Sequence, residues 1–510
     1  MSCVSPPDPQ ALSLPPAFRV DDSDDVAVAV RALEAGEMVA IGGREITLLE
    51  PIPRGHKLAL RDIAAGEPVL KYGWPIGRAT ADIGTGHHVH SHNVATGLSG
   101  TLDYRYSPTG IDPAHAALPA DQRHFLGYRR ANGKVGTRNE VWILCTVGCV
   151  SRTAERIATL AQGRFQGRVD GILALPHPFG CSQLGDDLQH TRAIIAALAQ
   201  HPNAGGVLIL GLGCESNQLS KLLETTPGID RSRLRAFTAQ TSPDEVEDGL
   251  AAVEELVAIA EKDQREPCPL SDLAIGLKCG GSDGFSGLTA NPLVGRMADR
   301  VTVAGGTAVL TEIPEIFGAE ELLMRRAMDE TVFDGIVNVV NGFKQYFLDH
   351  KQPVYENPSP GNIAGGITTL EEKSLGAVQK GGRAPVCDVI PYGGLARRKG
   401  LTLLEAPGND GVSSTALTAA GATIILFTTG RGTPLGFPAP TLKIASNSVL
   451  AAQKPNWIDF DAGMALTEAG LDGAADALWD LIIDTASGRL TRAEKNGQRE
   501  IAIWKNGVTL

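Results

Sequence analysis

Four cysteines share one local setting, each beside a glycine at or shortly after the end of an apolar stretch. The stretches "VWILCTVG", "GILALPHPFG", "VLILGLG" and "LAIGLK" precede, in order, Cys149, Cys181, Cys214 and Cys279. In an open parallel sheet the carboxyl ends of the strands share one ligand-binding edge. We therefore expect three of the thiols to converge from one domain and Cys279 to approach from a facing domain. Three thiolates around one centre suit iron, zinc or an iron–sulfur cluster, whereas the alternative is that each cysteine fills a tight turn as a small apolar group.

Histidines are concentrated in "GTGHHVHSHNV", which places four of the chain's eleven histidines within six residues. If this stretch is a strand, His90 and His92 lie on the same face, because side chains alternate with a period of two. Two imidazoles on one face can chelate a metal or hold a carboxylate. The alternative interpretation is a solvated strand end.

Three further residues could act as bases or proton carriers. His56 and Lys57 follow a glycine turn in "GHKLAL"; a lysine there binds a carboxylate, or acts as a base if it is desolvated, with a plain surface role as the alternative. His177 lies just before Cys181, where a neutral imidazole could bind metal or transfer a proton.

Two loops are rich in glycine, serine and threonine: "KCGGSDGFSGLTANP" and "TTGRGTPLG". Such loops expose backbone N–H groups that can surround an anion, and Lys278 and Arg431 could add positive charge for an acidic ligand. Neither loop has the G-x-x-x-x-G-K-[ST] spacing of a phosphate-binding P-loop.

Bulk properties narrow the class of protein. The chain has 510 residues and a formal net charge of −12, which argues against nucleic acid or an anionic membrane as the partner. The chain has no run of 18 apolar residues, so the sequence predicts no membrane span. The start, "MSCVSPPDPQALSLPP", lacks the basic region and the apolar region of a signal peptide. We therefore expect a disordered tail and a cytoplasmic location, and in that compartment cysteines are usually reduced.

The organisation predicted is a small all-β domain followed by two α/β domains with mainly parallel sheets. Short β-rich stretches broken by glycine and proline come first, and alternating strand and helix patterns follow, interrupted near "EPCPLS". The expected boundaries are a tail at 1–20, a β domain at 21–100, a linker at 101–122, and α/β domains at 123–267 and 268–510.

Several long motifs resemble one enzyme family. "GHKLALRDI", "KYGWPIGRATADI" and "GHHVHSHN" resemble the β-clip (SAF-type) domain of the altronate and galactarate dehydratases. "GKVGTRNEVWI", "HPFGCSQLGDD", "GLGCE", "KCGGSDGFSGLTANP", "ENPSPGN" and "TTGRGTP" resemble the main body of the same family. The forms "VHSHN" and "HPFGCSQLGDD" resemble the altronate branch, although Asp461 in "DFDAG" stands where that pattern favours asparagine.

The resemblance implies a hydro-lyase that dehydrates D-altronate to 2-dehydro-3-deoxy-D-gluconate and water in hexuronate catabolism. It implies ferrous iron, alone or in an iron–sulfur cluster, with Mn²⁺ as a substitute, and a small sugar-acid substrate; a homo-oligomer is left open. The substrate-binding residues expected from the matching motifs are His90, His92, Asn93, Arg138, Lys278, Ser282, Asp283 and Arg431.

The expected chemistry removes a proton beside a carboxylate and expels a β-hydroxyl, so it needs a base and a Lewis acid. His56, Lys57 and His177 are the candidate catalytic groups, and the four cysteines are the candidate iron ligands, with the histidines as the alternative set. We expect the histidine stretch to form part of a lid over the α/β body. The alternatives are dehydration of galactarate or elimination from a related 2-hydroxy acid, and, from another class, a non-catalytic sugar-acid-binding protein.

Overall fold

The N-terminal unit is a small all-β domain, as the sequence predicts. The computed structural model describes residues 15–109, 118, 123–226 and 228–510. In the first of these ranges all strand pairs are antiparallel and form sheets of order β1-β2-β5-β8, β3-β4 and β6-β7-β9. The strands are β1 Ala17–Phe18, β2 Val26–Ala29, β3 Met38–Ile41, β4 Arg44–Thr47, β5 Lys57–Ala59, β6 Pro68–Lys71, β7 Trp74–Ala79, β8 His88–Val89 and β9 Val94–Ala95.

The first α/β domain has a four-stranded parallel sheet of order β13-β12-β14-β15. All six residues of its central strand β12 are buried, because helices cover both faces of a parallel sheet. Its elements are β12 Glu140–Cys145, α1 Ser151–Arg164, β13 Gly171–Leu175, α2 Gly185–Leu198, β14 Ala204–Gly211, α3 Leu219–Glu224, β15 Leu234–Thr238 and α4 Glu245–Ala260.

The second α/β domain has a seven-stranded parallel sheet of order β19-β20-β18-β17-β21-β22-β23. Its strands are β17 Ala274–Cys279, β18 Thr307–Leu310, β19 Val386–Ile390, β20 Gly400–Leu404, β21 Ile424–Thr429, β22 Thr441–Ala445 and β23 Phe460–Asp461. Its helices are α5 Ala290–Val303, α6 Glu320–Met324, α7 Glu330–Asp349, α8 Pro360–Ala364, α9 Leu370–Val378, α10 Asp410–Ala419, α11 Ser448–Gln453, α12 Gly470–Ala486 and α13 Arg492–Lys495. Among the described residues, no helix is both long and apolar enough to cross a membrane.

Two expected boundaries differ from the structure. Strand β1 lies inside the predicted tail 1–20, because Ala17 is buried and pairs with Ala29; residues 1–14 of that tail lie outside the described residues. The boundary at 267 falls within a strand of a small antiparallel sheet that joins the two α/β domains. The strands of this sheet are β10 His124–Arg129, β11 Val135–Gly136 and β16 Glu266–Pro269.

The segment predicted as a linker is attached to the second α/β domain along its described part. The Tyr104 hydroxyl accepts a hydrogen bond from Lys344 Nζ at 2.9 Å, and the Tyr106 ring packs on Phe333. The segment has no helix or strand at residues 101–109. Its described part therefore lies against the second α/β domain without regular secondary structure; residues 110–117 and 119–122 lie outside the described residues.

Candidate active site

A cavity of about 470 Å³ opens at the carboxyl edge of the seven-stranded sheet. This is the edge at which open α/β sheets bind ligands, and the volume lies within the roughly 300–1,000 Å³ of small-molecule sites. The lining is mixed, with an aromatic wall and a set of polar groups. The polar lining residues include Cys279, Ser282, Glu315, Asn357, Ser359, Asn362, Lys373 and Asp410.

A buried charge network lies behind the residues that line this cavity. Glu312, just after β18, forms an ion pair with Lys278 through Oε1 and accepts a hydrogen bond from Lys380 Nζ through Oε2 at 2.9 Å. The backbone of Glu312 is left-handed, with φ of 70°, an uncommon conformation for a residue other than glycine. Such strain is kept where surrounding contacts impose it, and it clusters at functional sites.

A second pair extends the network into the cavity wall. Lys373 Nζ donates to Glu315 Oε1 at 2.9 Å and to Asn357 and Asn362. Burial alone would raise the pKa of Glu315, but Lys373, Lys278 and Lys380 lower it to about 2. Glu315 is therefore an anion at neutral pH, and it fixes the Lys373 ammonium at the wall.

Cys279 belongs to this network and not to a thiol cluster. Lys380 Nζ lies 2.7 Å from its sulfur, and the sulfur also contacts Glu312 and Glu315. Burial and the charge of Glu312 raise the pKa of the Cys279 thiol to about 12. It therefore remains a neutral thiol beside the lysine.

Asp410 is the acidic group of the network that solvent reaches best. Its Oδ1 accepts a hydrogen bond from Lys278 Nζ at 2.9 Å, and 35% of its side chain is exposed. A side chain at Gly280 would lie 2.6 Å from Asp410 Oδ2. The glycine therefore lets the strand end approach this carboxylate, whose Oδ2 has no hydrogen-bond partner within the described part of the chain.

A cluster of imidazoles lies where the β domain contacts the second α/β domain. One ring nitrogen from each of His56, His88 and His90 lies within 4.8 Å of the others. His56 Nδ1 and His88 Nε2 share a hydrogen bond of 3.0 Å. The Nδ1 atom of His90 is buried and has no hydrogen-bond partner within the described residues. The ring of His92 lies 5.2 Å from that of His88, at the exposed side.

These imidazoles are poor proton acceptors in the folded chain. Burial, then the neighbouring charge of His56, lowers the pKa of His88 to about 4. Burial, then Lys57, lowers the pKa of His90 to about 3. The cluster therefore stays neutral near pH 7, the form in which imidazole binds metals.

The strand predicted for this stretch is wrong beyond Val89. β8 ends at Val89, and His90 begins a turn in which its carbonyl oxygen accepts from the N–H groups of Asn93 and Val94. The Asn93 side chain accepts from His90 N and donates to His88 O. The turn, and not a period of two, brings the rings together, and Asn93 shapes the turn instead of facing a ligand.

The β domain is attached to the second α/β domain by a buried ion pair beside the imidazoles. Lys57 and Lys71 each donate to Glu372, at 2.9 and 2.7 Å. Although burial raises the pKa of Glu372, the two lysines bring it well below its ordinary value. Burial lowers the pKa of Lys57 to about 8, but its Nζ is fully buried, with Gly366 O as its other partner. Lys57 is therefore placed as an anchor between domains and not as an accessible base.

The imidazole cluster borders the cavity without lining it. His56 Nε2 lies 3.4 Å from the carbonyl oxygen of Ala364, the last residue of α8, and Asn362 of the same helix lines the cavity. Lys373, which also lines the cavity, is the neighbour of Glu372 in α9. The β domain thus packs beside the cavity, whereas the predicted lid would have covered the edge of the body.

Other predicted site residues have structural partners. Arg138 is a correction: it is buried and pairs with Glu494 at 2.6 Å, so it cannot reach a substrate. His177 is held by backbone at both ring nitrogens, with Cys145 O and Phe179 N, which leaves none for a proton or a metal.

Of the predicted site residues in the loops near the cavity, one lines the cavity and two have structural partners. Ser282 lines the cavity, whereas the neighbouring Asp283 is buried and bonded to Ser446 and Asn447. Arg431 Nη1 donates to the carbonyl oxygen of Gly361 at 3.2 Å. Arg431 thus supports α8 from the outside.

The four candidate iron-binding cysteines do not share one centre. Cys149, Cys181 and Cys214 are exposed at the carboxyl edge of the four-stranded sheet, and Cys279 is buried in the other domain. No three of the four sulfurs lie within 4.8 Å of one another. Convergence of Cys279 on the other thiols is therefore a wrong expectation, because its sulfur is enclosed by lysine and glutamate side chains.

Sequence reasoning missed most of the charge network. Glu312 and Glu315 follow strand β18 in "TEIPEIFG", so the strand-end rule that singled out the cysteines could have found them. Sequence reasoning also did not single out His88, which lies in the histidine stretch beside His90. Lys373 and Lys380 lie on and after α9, and no sequence pattern marks them.

Three family models match successive parts of the chain. They are described as the altronate/galactarate dehydratase SAF domain at residues 15–97, the second domain of D-galactarate dehydratase/altronate hydrolase at 127–261, and the C-terminal D-galactarate/altronate dehydratase domain at 270–509. Together they cover nearly the whole described chain.

Similar proteins align over almost their full lengths. The chain is 51% identical to altronate dehydratase of Escherichia coli (strain K12), covering 97% of this chain and 99% of that one. It is 49% identical to altronate dehydratase of Bacillus subtilis (strain 168), with the same shares covered. It is 34% identical to galactarate dehydratase (L-threo-forming) of Escherichia coli (strain K12), covering 93% of this chain and 94% of that one.

Proposed function

We propose that this chain is a hydro-lyase that converts D-altronate to 2-dehydro-3-deoxy-D-gluconate and water. The premise is that the chain belongs to the altronate and galactarate dehydratase family. The observation that supports this most is the match of about 50% identity over 97% of the chain to two altronate dehydratases. The galactarate dehydratase is more distant, at 34% identity. D-altronate is therefore the substrate we assign.

The cavity at the carboxyl edge of the seven-stranded sheet is the substrate site in this proposal. A six-carbon hydroxy acid needs one cationic contact and several hydrogen bonds. Lys373 supplies the cation at the wall, and Asn357, Ser359 and Asn362 supply amide and hydroxyl groups beside it. Because Lys373 Nζ already donates three hydrogen bonds, to Glu315, Asn357 and Asn362, the substrate carboxylate would replace one of them. The remaining bonds would hold the ammonium in position.

Asp410 is the group we assign to proton removal beside the carboxylate. Its Oδ1 is held by Lys278, and its less enclosed side chain borders the cavity. A positioned general base contributes roughly 10²- to 10⁴-fold to such a step. Lys278 is itself held by Glu312, so the base sits on a rigid buried network.

The imidazole cluster fits the iron that the family resemblance implies. Imidazole suits ferrous iron, the three rings are neutral, and the buried Nδ1 of His90 has no other partner. His56, His88 and His90 would hold the ion, which would replace the hydrogen bond shared by His56 and His88. When bound, iron would supply a Lewis acid that polarises an oxygen atom, and Mn²⁺ is the substitute that the family resemblance implies.

The proposal is tested with anaerobically purified protein, Fe²⁺ and D-altronate. We expect formation of 2-dehydro-3-deoxy-D-gluconate, identified by NMR, and release of one water per substrate. His88→Ala should remove both bound iron and turnover, because it deletes the central ring of the cluster. Protein that loads iron but leaves D-altronate unchanged would disprove the function.

The matched control is His87→Ala, one residue away in sequence. The His87 ring is exposed and contacts Glu50 instead of the cluster. Iron content and turnover should stay at the wild-type values in this variant. If both histidine variants lose iron equally, the iron is not held by the cluster.

A further inference from the structure

The cavity at the carboxyl edge of the seven-stranded sheet has an aromatic wall to which the proposed function gives no role. Phe343, Tyr346 and Phe347 of α7 form this wall together with Trp504, which lies in the segment after α13. We propose that Trp504 is a specificity-determining residue, which makes the site select sugar acids with one carboxylate over diacids. This inference rests on the proposed function, because it assigns the substrate class of the same cavity.

The four rings of the wall contact one another and form one surface. The Trp504 ring stacks on Phe343, with the ring centroids 5.3 Å apart and an angle of 10° between the planes. It meets Tyr346 edge to face, with the centroids 5.6 Å apart, and Phe347 packs edge to face against Tyr346 at 5.9 Å. Such a surface can hold the C–H groups of a carbon chain, whereas burying an unpaired carboxylate against it is costly in free energy.

The charged groups of the lining suit one carboxylate and oppose a second. Lys373 is the only lysine, arginine or histidine among the described residues that line the cavity, whereas three lining residues carry carboxylates: Glu315, Glu356 and Asp410. Once Lys373 has bound the first carboxylate of a diacid, the second would meet these anions or the aromatic wall, and like charges side by side repel. The lining therefore favours an acid whose other end is uncharged, such as the hydroxymethyl end of D-altronate.

Trp504 is held in place by groups of both α/β domains. Its backbone N–H donates to the Tyr392 hydroxyl of the second domain at 3.0 Å. Its ring stacks on His190 of α2, in the first domain, with an angle of 9° between the planes. Asp187 of the same helix accepts a hydrogen bond from the Gly507 N–H at 2.9 Å. The position of the ring is thus fixed before a ligand binds, which lowers the entropic cost of binding.

The test is the ratio of the dissociation constants for galactarate and D-altronate, measured by isothermal titration calorimetry on full-length protein without added iron. We expect the wild type to bind D-altronate more tightly. Trp504→Ala should weaken the binding of D-altronate by about tenfold, because part of the apolar contact with its carbon chain is lost. Galactarate should be affected less, because water then reaches its second carboxylate, so the ratio should fall.

Three further variants frame this result. Trp504→Phe keeps an aromatic ring in the wall and should keep most of the preference for D-altronate. Trp504→Leu keeps part of the apolar volume and gives the same readout if the alanine variant does not fold. Trp74→Ala is the matched control, because Trp74 is also half-buried but lies against Arg325 outside the cavity, 5.0 Å from the ring centroid to the guanidinium carbon; it should keep the wild-type ratio.

A ratio that is the same in the Trp504 variants and in the wild type would overturn the inference. So would wild-type protein that does not bind D-altronate more tightly than galactarate.

Steady-state kinetics with iron-loaded protein separate this inference from the proposed function. In Trp504→Ala we expect KM for D-altronate to rise while kcat stays close to the wild-type value, because the wall binds the substrate and the transition state alike. Protein that binds D-altronate with the expected preference but never dehydrates it would disprove the function and leave the specificity of the wall standing. Dehydration of D-altronate, with an unchanged ratio of dissociation constants in the Trp504 variants, would do the reverse.

Discussion

Two parallel sheets in this chain end in edges of opposite chemistry. At the four-stranded sheet, three cysteines after consecutive strands are exposed. At the seven-stranded sheet, Cys279, the last residue of β17, is buried against Lys380 and two glutamates. The same residue type at the carboxyl ends of parallel strands is thus exposed at one edge and part of a charge network at the other. Topology brings residues to an edge, but the neighbouring strands and helices decide what they can do.

The largest effect that sharpens this comparison is expected for Asp410→Asn. The change removes the base that we assign at the carboxyl edge of the seven-stranded sheet, called the charged edge below. We therefore expect kcat to fall by about 10²- to 10⁴-fold. Steady-state kinetics with D-altronate check it. Asp476→Asn, on an exposed carboxylate paired with Arg300, is the control and should keep wild-type kcat; an unchanged kcat in Asp410→Asn would move the base elsewhere.

The charged edge should also be a large source of stability. Glu312→Gln leaves the buried ammonium groups of Lys278 and Lys380 without their shared anion, so the free energy of unfolding should fall by about 3–5 kcal/mol. Urea unfolding measures it. Glu321→Gln, which breaks an exposed pair with Arg325, should cost no more than about 0.5 kcal/mol. Equal costs would show that the network is not a buried unit.

Acid should weaken the charged edge over a defined range of pH. The pKa of Glu315 is about 2 in the folded chain and about 4.3 in an unfolded one. Its contribution is complete above the unfolded value and is lost as the pH falls towards 2. Glu315→Gln should therefore reduce the slope of stability against pH in this window by up to about 1.4 kcal/mol per unit. Glu224→Gln, on an exposed carboxylate paired with Lys221, is the control. An identical slope in the two variants would contradict the assignment.

The smallest expected effect is a difference in the free energy of unfolding between alanine variants of a cysteine at each of the two edges. In protein freed of metal, Cys279→Ala removes a buried partner of Lys380 and should cost about 1–3 kcal/mol of unfolding free energy. Cys181→Ala removes an exposed thiol and should change it by no more than about 0.5 kcal/mol. Urea unfolding of the two variants side by side decides, and the reverse order would contradict the burial pattern.

The sequence predicted the fold class well, because its signals are local. Apolar runs such as "EVWILC" alternate with helical stretches, and this alternation specifies buried parallel strands with crossover helices. The strand-end rule likewise placed Cys149, Cys181 and Cys214 on one edge. It also placed Cys279 at the end of a strand. The expected approach of Cys279 to the other thiols is wrong, because its environment depends on Lys380, some hundred residues later in the chain.

The candidate site was predictable only in part for the same reason. Histidine density pointed to a cluster, but the turn at His90 and the contact with α8 depend on tertiary packing. Arg138 and Lys57 carry the residue types of a substrate site, yet their ion pairs with Glu494 and Glu372 use them for structure. Which lysine faces a cavity and which is buried in an ion pair cannot be read from residue type.

The central claim is that this chain acts on D-altronate at the charged edge. The most direct measurement compares kcat/KM for D-altronate and for galactarate, using one preparation of iron-loaded protein under anaerobic conditions. We expect D-altronate to be preferred by more than about tenfold, because galactarate carries a second, terminal carboxylate that the site would have to desolvate. Equal or faster turnover of galactarate would contradict it.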